Sequence, residues 1–501
     1  MDSFFAVFND HKEIFKKISA LAENKNIKLY LVGGVLRDAL LGRKKDNPDI
    51  DFCLRKGAIN FGRLAASELK SGFVVLDRIH GCARVVYKYR RPDGAGGICT
   101  LDFTDFRGKT LEEDLLHRDF TINSLALELG ALLSRMEKRR LSGKAFAAML
   151  LDPYHGIEDL RARVIRLVNK RGYDEDPLRI LRAFSLSAIF EFAIDKETLR
   201  RAIVKRKKLS AVSPERVRDE LFKVFSSHRA YESLVSLEKN KLLELIVPEI
   251  KPLQKLDQGQ YHHLDVLGHT LETVKHLELI FQEFRRRARI HGFLNEEISS
   301  GRRRYALMIL AALLHDVGKP RTLRVRDSKI MFHGHERVGA FMAEDISVRL
   351  KLSNDETRRL KQIIFAHLRP GYLADSSPSE RARFRFFRDT ASEALSVLLI
   401  SLADQRATSG PQATAQSRLN HERLVQRLIR VYCAKKDTAP ALRLVDGNDI
   451  MRRFTLEASP LIGSVLSELQ ELQAIGKIKT REEALRAAAA LVKHSKALVK
   501  G

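Results

Sequence analysis

Hydrophobic and polar positions along the first 130 residues of the 501-residue chain alternate between two periods. Leu29 to Val32 is apolar, Gly33 and Gly34 follow, a helical stretch runs through Leu41, and Ile50 to Leu54 is apolar again. Val74 to Leu76, Val85 to Tyr87 and Leu101 to Phe103 read as further strands. This pattern predicts a small mixed α/β domain. Beyond about Asp152 the strand signals nearly vanish, and residues such as Leu178, Leu181, Ala188 and Phe192 recur at helical spacing, so the remainder is predicted to be helical.

Two stretches break the pattern and read as solvated loops or insertions, either able to touch RNA. One is Arg90 to Gly97; the other is Arg285 to Arg304, with Arg285, Arg286, Arg287, Arg302, Arg303 and Arg304. The length suggests about two to four domains. The longest apolar runs, Tyr305 to Leu314 and Leu395 to Ala403, fall short of the roughly 20 residues a membrane span requires, and Asp2, Asp10 and Glu13 stand near the N-terminus. A cytoplasmic location without a membrane partner is therefore expected. Cys53, Cys82, Cys99 and Cys433 have no zinc or disulfide spacing and read as reduced core thiols. The 89 Lys and Arg against 63 Asp and Glu leave a formal charge of +26, which attracts a polyanion without specifying which.

Candidate chemistry begins at Gly33 and Gly34, where a strand-to-helix turn lets backbone amides approach a triphosphate. In the run Asp49, Ile50, Asp51, Phe52, residues two apart share a strand face, so two carboxylates converge while the apolar pair faces the core. Such a pair can hold two Mg²⁺ ions that activate a hydroxyl and stabilise a leaving oxygen. Asp102, between Leu101 and Phe103, has the alternation expected of a third carboxylate, with Asp105 as the competing choice.

The run from Leu31 through Gly33, Gly34, Arg37 and Asp38 to Leu41, Gly42, Asp49 and Asp51 resembles the first motif of the class II tRNA nucleotidyltransferase and poly(A) polymerase family. Arg118, Asp119, Phe120, Thr121, Ile122, Asn123 is similar to the second, which implies that Arg118, Asp119 and Asn123 handle triphosphate and ribose. Asp152, Pro153, Gly156, Asp159 and Leu160 resemble the third, a hinge-like link. Glu175, Asp176, Pro177, Leu178 and Arg179 with Arg182 resemble the nucleobase-selecting motif, and Ser213, Glu215, Arg216 and Glu220 the fifth. The chain departs from the family after Ala183: where a bulky residue, Arg and Phe usually follow, it has Phe184, Ser185 and Leu186, one basic side chain fewer.

Farther on, His262, His263, Asp265 and His269 are expected to precede a helix, and the apolar helix from Tyr305 ends in His315, Asp316, Gly318, Lys319. An adjacent His and Asp at a helix end can reach one metal. With His269, His335, His367 and Asp404 the pattern resembles the HD metal-dependent phosphohydrolase superfamily, which implies those six residues as ligands of a divalent ion (Mg, Mn, Ni or Co). Gly447, Asp449, Pro460, Ile462 and Gly463 look like the tail of HD-containing members.

Together the resemblances imply an α+β protein: a nucleotidyltransferase head with a small mixed sheet (1–151), then an all-α neck (152–250), a body holding an HD-type helical domain (251–430) and a tail (431–501). They imply addition of C and/or A from CTP and ATP to a tRNA 3′ end. The alternatives are a poly(A) polymerase, a CC-only or A-only enzyme, or an HD phosphohydrolase whose N-terminal part binds RNA.

Overall fold

The structure is a computed structural model that describes all residues except 1–5, 45–46, 91–95, 139–141, 328, 375–377, 435–442 and 499–501. It divides into two compact units, Met1–Val212 and Ser213–Gly501. The first is built on six strands: β1 (Tyr30–Val32), β2 (Asp49–Leu54), β3 (Gly72–Asp77), β4 (Cys82–Arg90), β5 (Gly96–Asp105) and β6 (Ala126–Glu128). They lie in the order β3-β4-β5-β2-β1-β6. β2 and β5 run parallel and the other neighbours antiparallel.

Alternation in β2 and β5 decides which face becomes core. Ile50, Phe52, Leu101 and Phe103 are fully buried. Phe52 lies opposite Phe103, and their rings stack 5.1 Å apart; burying each side chain contributes about 1.5–3 kcal/mol. Three helices matter for the site: α1 (Gly34–Leu40), α2 (Ala58–Glu68) and, after the sheet, α3 (Leu178–Phe190). Phe61 of α2 closes the core edge-on to Phe103 at 5.4 Å. Asp49, Asp51 and Asp102 consequently share the opposite face. Of the Arg90–Gly97 stretch, Arg90 ends β4 and Gly96 begins β5, while 91–95 lie outside the described residues.

The second unit is helical, with α4 (Val266–Phe284), α5 (Arg304–Leu314), α6 (His335–Arg349), α7 (Asn354–Ala366) and α8 (Ala394–Ala407) at its centre. The two long apolar runs are interior helices: α4 packs against both α5 and α8, and every residue from Ala306 to Leu314 is buried. Among the described residues no helix is long and apolar enough to cross a membrane. Among the described residues three short two-stranded ladders punctuate the helices, Val164–Ile165 with Ala193–Ile194 in the first unit, and Glu297–Ser299 with Arg302–Arg303 and Arg324–Arg326 with Lys329–Met331 in the second. Strands this short leave no readable period-2 signal.

Two expectations are corrected here. Arg285 to Arg304 is no loop: it contains the helix Ala288–Asn295 and one of the ladders. Arg304 is 2% exposed, donating to Glu393 at 2.5 and 2.6 Å and to Glu296 at 2.6 Å, because a buried guanidinium needs carboxylate partners. His269 does not precede a helix but sits in the first turn of α4, which Asp265 caps by accepting from the Gly268 backbone N–H at 2.7 Å. The tail segment forms its own small core around Ile450, Ile462, Val465 and Leu469, with Asp449 and Asp446 exchanging capping bonds at the helix Gly447–Phe454. All four cysteines are free; Cys53 and Cys99 are buried, Cys82 and Cys433 partly exposed.

Candidate active site and metal cluster

The first site forms where β1 turns into α1. Gly33 has φ +74°, and a Cβ there would lie 3.2 Å from Asp51 Oδ2 and 3.3 Å from Arg118 Nη1, so conformation and space both call for glycine. Asp51 stands opposite Asp102 across β2 and β5. Burial pushes the Asp51 carboxyl above its ordinary range; Arg118 opposes this, and Asp102 and Asp49 add repulsion. Carboxylates brought together against their mutual repulsion suit a cation between them. Asp49 stands further along the face, exposed, opposite Thr100, whose hydroxyl donates to it. Asp105 instead accepts from the Ala58 backbone N–H of α2 at 2.7 Å, which leaves Asp102 as the acid opposite Asp51.

Around the carboxylates runs a chain of charge-assisted bonds. Arg37 donates to Asp38 at 2.8 and 2.9 Å and to Asn123 Oδ1 at 2.5 Å. Asn123 Nδ2 donates to Asp119 Oδ1 at 3.0 Å, and Arg182 Nε lies 2.6 Å from Asp119 Oδ2. Burial alone would raise the Asp119 carboxyl, yet it sits below its ordinary range because Arg182, Asn123 and the Phe120 backbone N–H favour the ionised form. Arg118 is aimed by Asp114, which accepts from Nη2 at 3.2 Å. Asp176 accepts from the Leu178 backbone N–H at 3.2 Å. Arg179 is 6% exposed and donates to Gly172 O at 3.3 Å and Glu175 at 3.4 Å. Gly33, Gly34, Asp51, Asp102, Arg118, Asp119, Asn123, Asp176, Arg179 and Arg182 line one open pocket of about 380 Å³, whereas Asp49, Arg37 and Asp38 stand outside its lining. Arg37, Asp38 and Asn123 thus join the first two motifs, and Asp119 and Arg182 join them to α3.

The third motif braces this frame. Asp152 accepts from the backbone N–H groups of Gly156 and Ile157 at 2.6 and 2.8 Å, and Asp159 accepts from the Thr121 hydroxyl at 2.6 Å. Ser185, where the family has a basic residue, is fully buried. Ser213, Glu215, Arg216 and Glu220 lie at the start of the second unit, in and just before the helix Pro214–Phe225, with Glu220 buried and bonded to Lys223 at 2.6 Å.

The second site lies within the helical unit, where all six expected residues meet. Ligand atoms of His269, His315 and Asp316 lie within 4.8 Å of one another, as do those of Asp316, His335 and His367, so Asp316 belongs to both trios. Asp404 Oδ1 is 2.9 Å from His269 Nε2. The Nδ1 atoms of His315, His335 and His367 face the carbonyls of Ala312, Phe332 and Ile364 at 2.8, 2.8 and 2.6 Å. That contact favours the proton on Nδ1 and turns Nε2 inward; the three Nε2 atoms are buried without well-aligned hydrogen-bond partners, those of His315 and His335 lying 3.2 Å from the Asp316 carboxylate. Burial, with His315 and His335 nearby, depresses His367 to about 3, so it stays neutral, as a ligand must. These orphaned lone pairs fit a divalent ion. The open side is a cavity of about 310 Å³ bordered by His262, Lys319 and Tyr372.

Residues 29–166 match the poly A polymerase head domain, 191–254 the probable RNA and SrmB-binding site of polymerase A, and 266–409 the HD domain. The chain is 33% identical to the A-adding tRNA nucleotidyltransferase of Deinococcus radiodurans, over 91% of this chain and 93% of that one. The chain belongs to the tRNA nucleotidyltransferase family. It is a nucleotidyltransferase. The CC-adding tRNA nucleotidyltransferase of Thermus thermophilus is 32% identical over 90% of this chain and 91% of its own length. In fold, a CCA-adding enzyme solved with ATP matches with a TM-score of 0.61 at 19% identity, covering 96% of this chain and 94% of that one.

Sequence reasoning missed several residues of this nucleotidyltransferase. Asp114 aims Arg118, and Arg84 on β4 donates to both oxygens of Asp102 at 2.7 Å. Arg84 stands between buried Ala83 and Val85, a period-2 signal that places it on the polar face; its partner depends on strand register.

Proposed function

We propose that the protein adds C and/or A, from CTP and ATP, to the 3′ end of tRNA. The RNA 3′ oxygen bonds to the α-phosphorus while the bond to the β-phosphate bridge breaks and pyrophosphate leaves. The observation that carries this reading is Asp51 opposite Asp102 beside the Gly33 turn, with Arg118 at the same glycine. The carboxylates of Asp49, Asp51 and Asp102 would hold two Mg²⁺ ions, which when bound supply acidification of the attacking hydroxyl and neutralisation of the leaving oxygen. The rest falls to the protein. Arg118, fixed by Asp114, faces the triphosphate; Arg37, Asp38, Asp119 and Asn123 set the position of sugar and phosphates; Asp176 and Arg179, backed by Arg182, read the base edge.

The relatives include A-adding and CC-adding enzymes at nearly equal identity, so the experiment is chosen to resolve the product. Purified protein is incubated with tRNAs ending before CCA, after the first C, and after CC, each with single nucleotides. Extension by C, by A or by both is expected, in the cytoplasm as in vitro. A long A tract on any RNA would favour a poly(A) polymerase, and no extension of any acceptor would overturn the reading.

A second reading is supported by the inward lone pairs of His315, His335 and His367: the HD-type cluster, with His269, Asp316 and Asp404, binds a divalent ion and hydrolyses phosphate esters. With a domain division of 1–151, 152–250, 251–430 and 431–501, this chemistry belongs to the body, and nucleotidyl transfer to the head and the start of the neck.

A further inference from the structure

We propose that Arg84 is a positioning residue that sets the divalent-ion demand of the head by holding Asp102 until it is displaced. The inference rests on the two-ion reading of Asp51 and Asp102. Three side chains on three neighbouring strands form one row: Arg84 lies opposite Asp102, and Asp102 lies opposite Asp51. Nε of Arg84 donates to one oxygen of Asp102 and Nη2 to the other, both at 2.7 Å. This fork engages both carboxylate oxygens in a fixed plane and places a permanent positive charge beside them. A cation approaching Asp51 therefore meets a neighbour whose charge is already matched.

The arrangement differs from an ordinary cross-strand ion pair in its surroundings. Asp102 borders the pocket with Asp51, Gly33 and Arg118, and its side chain is only 16% exposed, whereas that of Arg84 is 39% exposed and has solvent to swing into. The guanidinium is thus the partner able to leave, and Asp102 the one that stays. Asp51, with Asp102 opposite it and Asp49 two residues away on the same strand face, gains most when the cation replaces Arg84 in the row. Charge in the site is then exchanged: an internal cation holds it at rest, and a divalent ion takes its place.

The test is Mn²⁺ binding to the full chain by titration calorimetry, for the wild type, Arg84→Ala, Arg84→Lys, Asp102→Asn and the double variant Arg84→Ala with Asp102→Asn. The HD-type cluster contributes equally to all five, so the differences report the head. Arg84→Ala is expected to tighten Mn²⁺ binding about tenfold, a coupling of the usual size for contacting residues. Arg84→Lys keeps the charge without the fork and should fall between, and the gain should vanish when Asp102 is already Asn. The Mg²⁺ concentration for half-maximal addition should drop in Arg84→Ala. Unchanged or weaker Mn²⁺ binding in Arg84→Ala, alongside weaker binding in Asp102→Asn, overturns the inference and leaves the two-ion reading standing. If Asp102→Asn leaves Mn²⁺ binding unaltered, and Asp51→Asn titrated alongside the five does too, the two-ion reading fails and takes the inference with it.

Discussion

Arg179 donates to the backbone carbonyl of His117 across 2.5 Å, 62 residues away in sequence. The bond ties the helix proposed to read the base to the residue just before the second motif. Its ion partner is Glu175 at 3.4 Å, and burial lowers the guanidinium pKa from its ordinary value. An Arg held this firmly can serve the proposed base reading as a template. With Asp176 accepting and Arg179 donating, cytosine and adenine each match through an amino group and a ring nitrogen, whereas uracil and guanine oppose a carbonyl to a carboxylate. Asp176→Ala and Arg179→Ala are expected to lose about ten- to a hundredfold of the discrimination against UTP and GTP, the worth of one buried unpaired group. Single-nucleotide addition assays with all four triphosphates measure it; discrimination kept intact in both variants would sink the assignment.

Asp49→Ala and Asp51→Ala should each slow nucleotide addition by at least about a hundredfold, the scale of removing one strong transition-state stabiliser. Stability gives a second readout for Asp51. A carboxyl raised in the folded state favours folding fully below its unfolded pKa and loses that contribution as pH rises through the folded value. At neutral pH without metal, Asp51→Asn should therefore raise the melting temperature while addition collapses.

Glu278 accepts from the backbone N–H groups of Ala230 and Tyr231 at 2.7 and 3.2 Å, yet burial pushes its carboxyl up to about 7. The shift is upward, so its contribution is complete below about 4.5 and disappears as pH rises through about 7. Denaturant midpoints of the wild type should fall across this window, and those of Glu278→Gln should fall less. Parallel curves for the two proteins would contradict the prediction.

Gly318 follows the His315–Asp316 pair, and a Cβ there would lie 2.2 Å from the carbonyl oxygen of His335 and 2.6 Å from the Gly339 nitrogen. Gly318→Ala must push α6 away from the cluster, at a cost of about 1–3 kcal/mol. Divalent-ion binding by the helical unit should weaken with it, while tRNA extension by the head persists. His315→Ala should likewise abolish any phosphatase activity and spare extension, since the two sites share no residue. Equal loss of both activities in a folded His315→Ala protein would argue against independent sites.

Much of this is legible in the sequence. The period-2 runs at Asp49–Phe52 and Leu101–Phe103 set both the core face and the carboxylate face, because a strand offers only two sides. The six HD-type residues could be named from their order, although His269 was assigned to the approach of a helix instead of its first turn. What stayed hidden depends on register and on burial. Alternation places Arg84 on the polar face, but nothing local shows that it meets Asp102, which depends on β4–β5 pairing. Arg304 sits in an arginine-rich run that reads as solvent-facing, and its partners, the distant Glu393 and the nearer Glu296, explain why it is buried. Asp105 and Asp102 were separable only once α2 supplied a backbone donor to the former.

Internal pairing of arginine also bears on how the protein meets its polyanion. Arg304 and Arg359 share Glu393, and Arg381, Arg385 and Arg388 converge on Glu471, holding that carboxyl down at about 2. These guanidiniums are among the 89 Lys and Arg side chains but have anions of their own. Binding of RNA releases one condensed counterion population per phosphate neutralised, about 0.7 in log–log salt slope for each single-stranded contact. Arginines already matched inside the fold add nothing to that slope, so the ionic-strength dependence of RNA affinity will count far fewer contacts than the composition advertises.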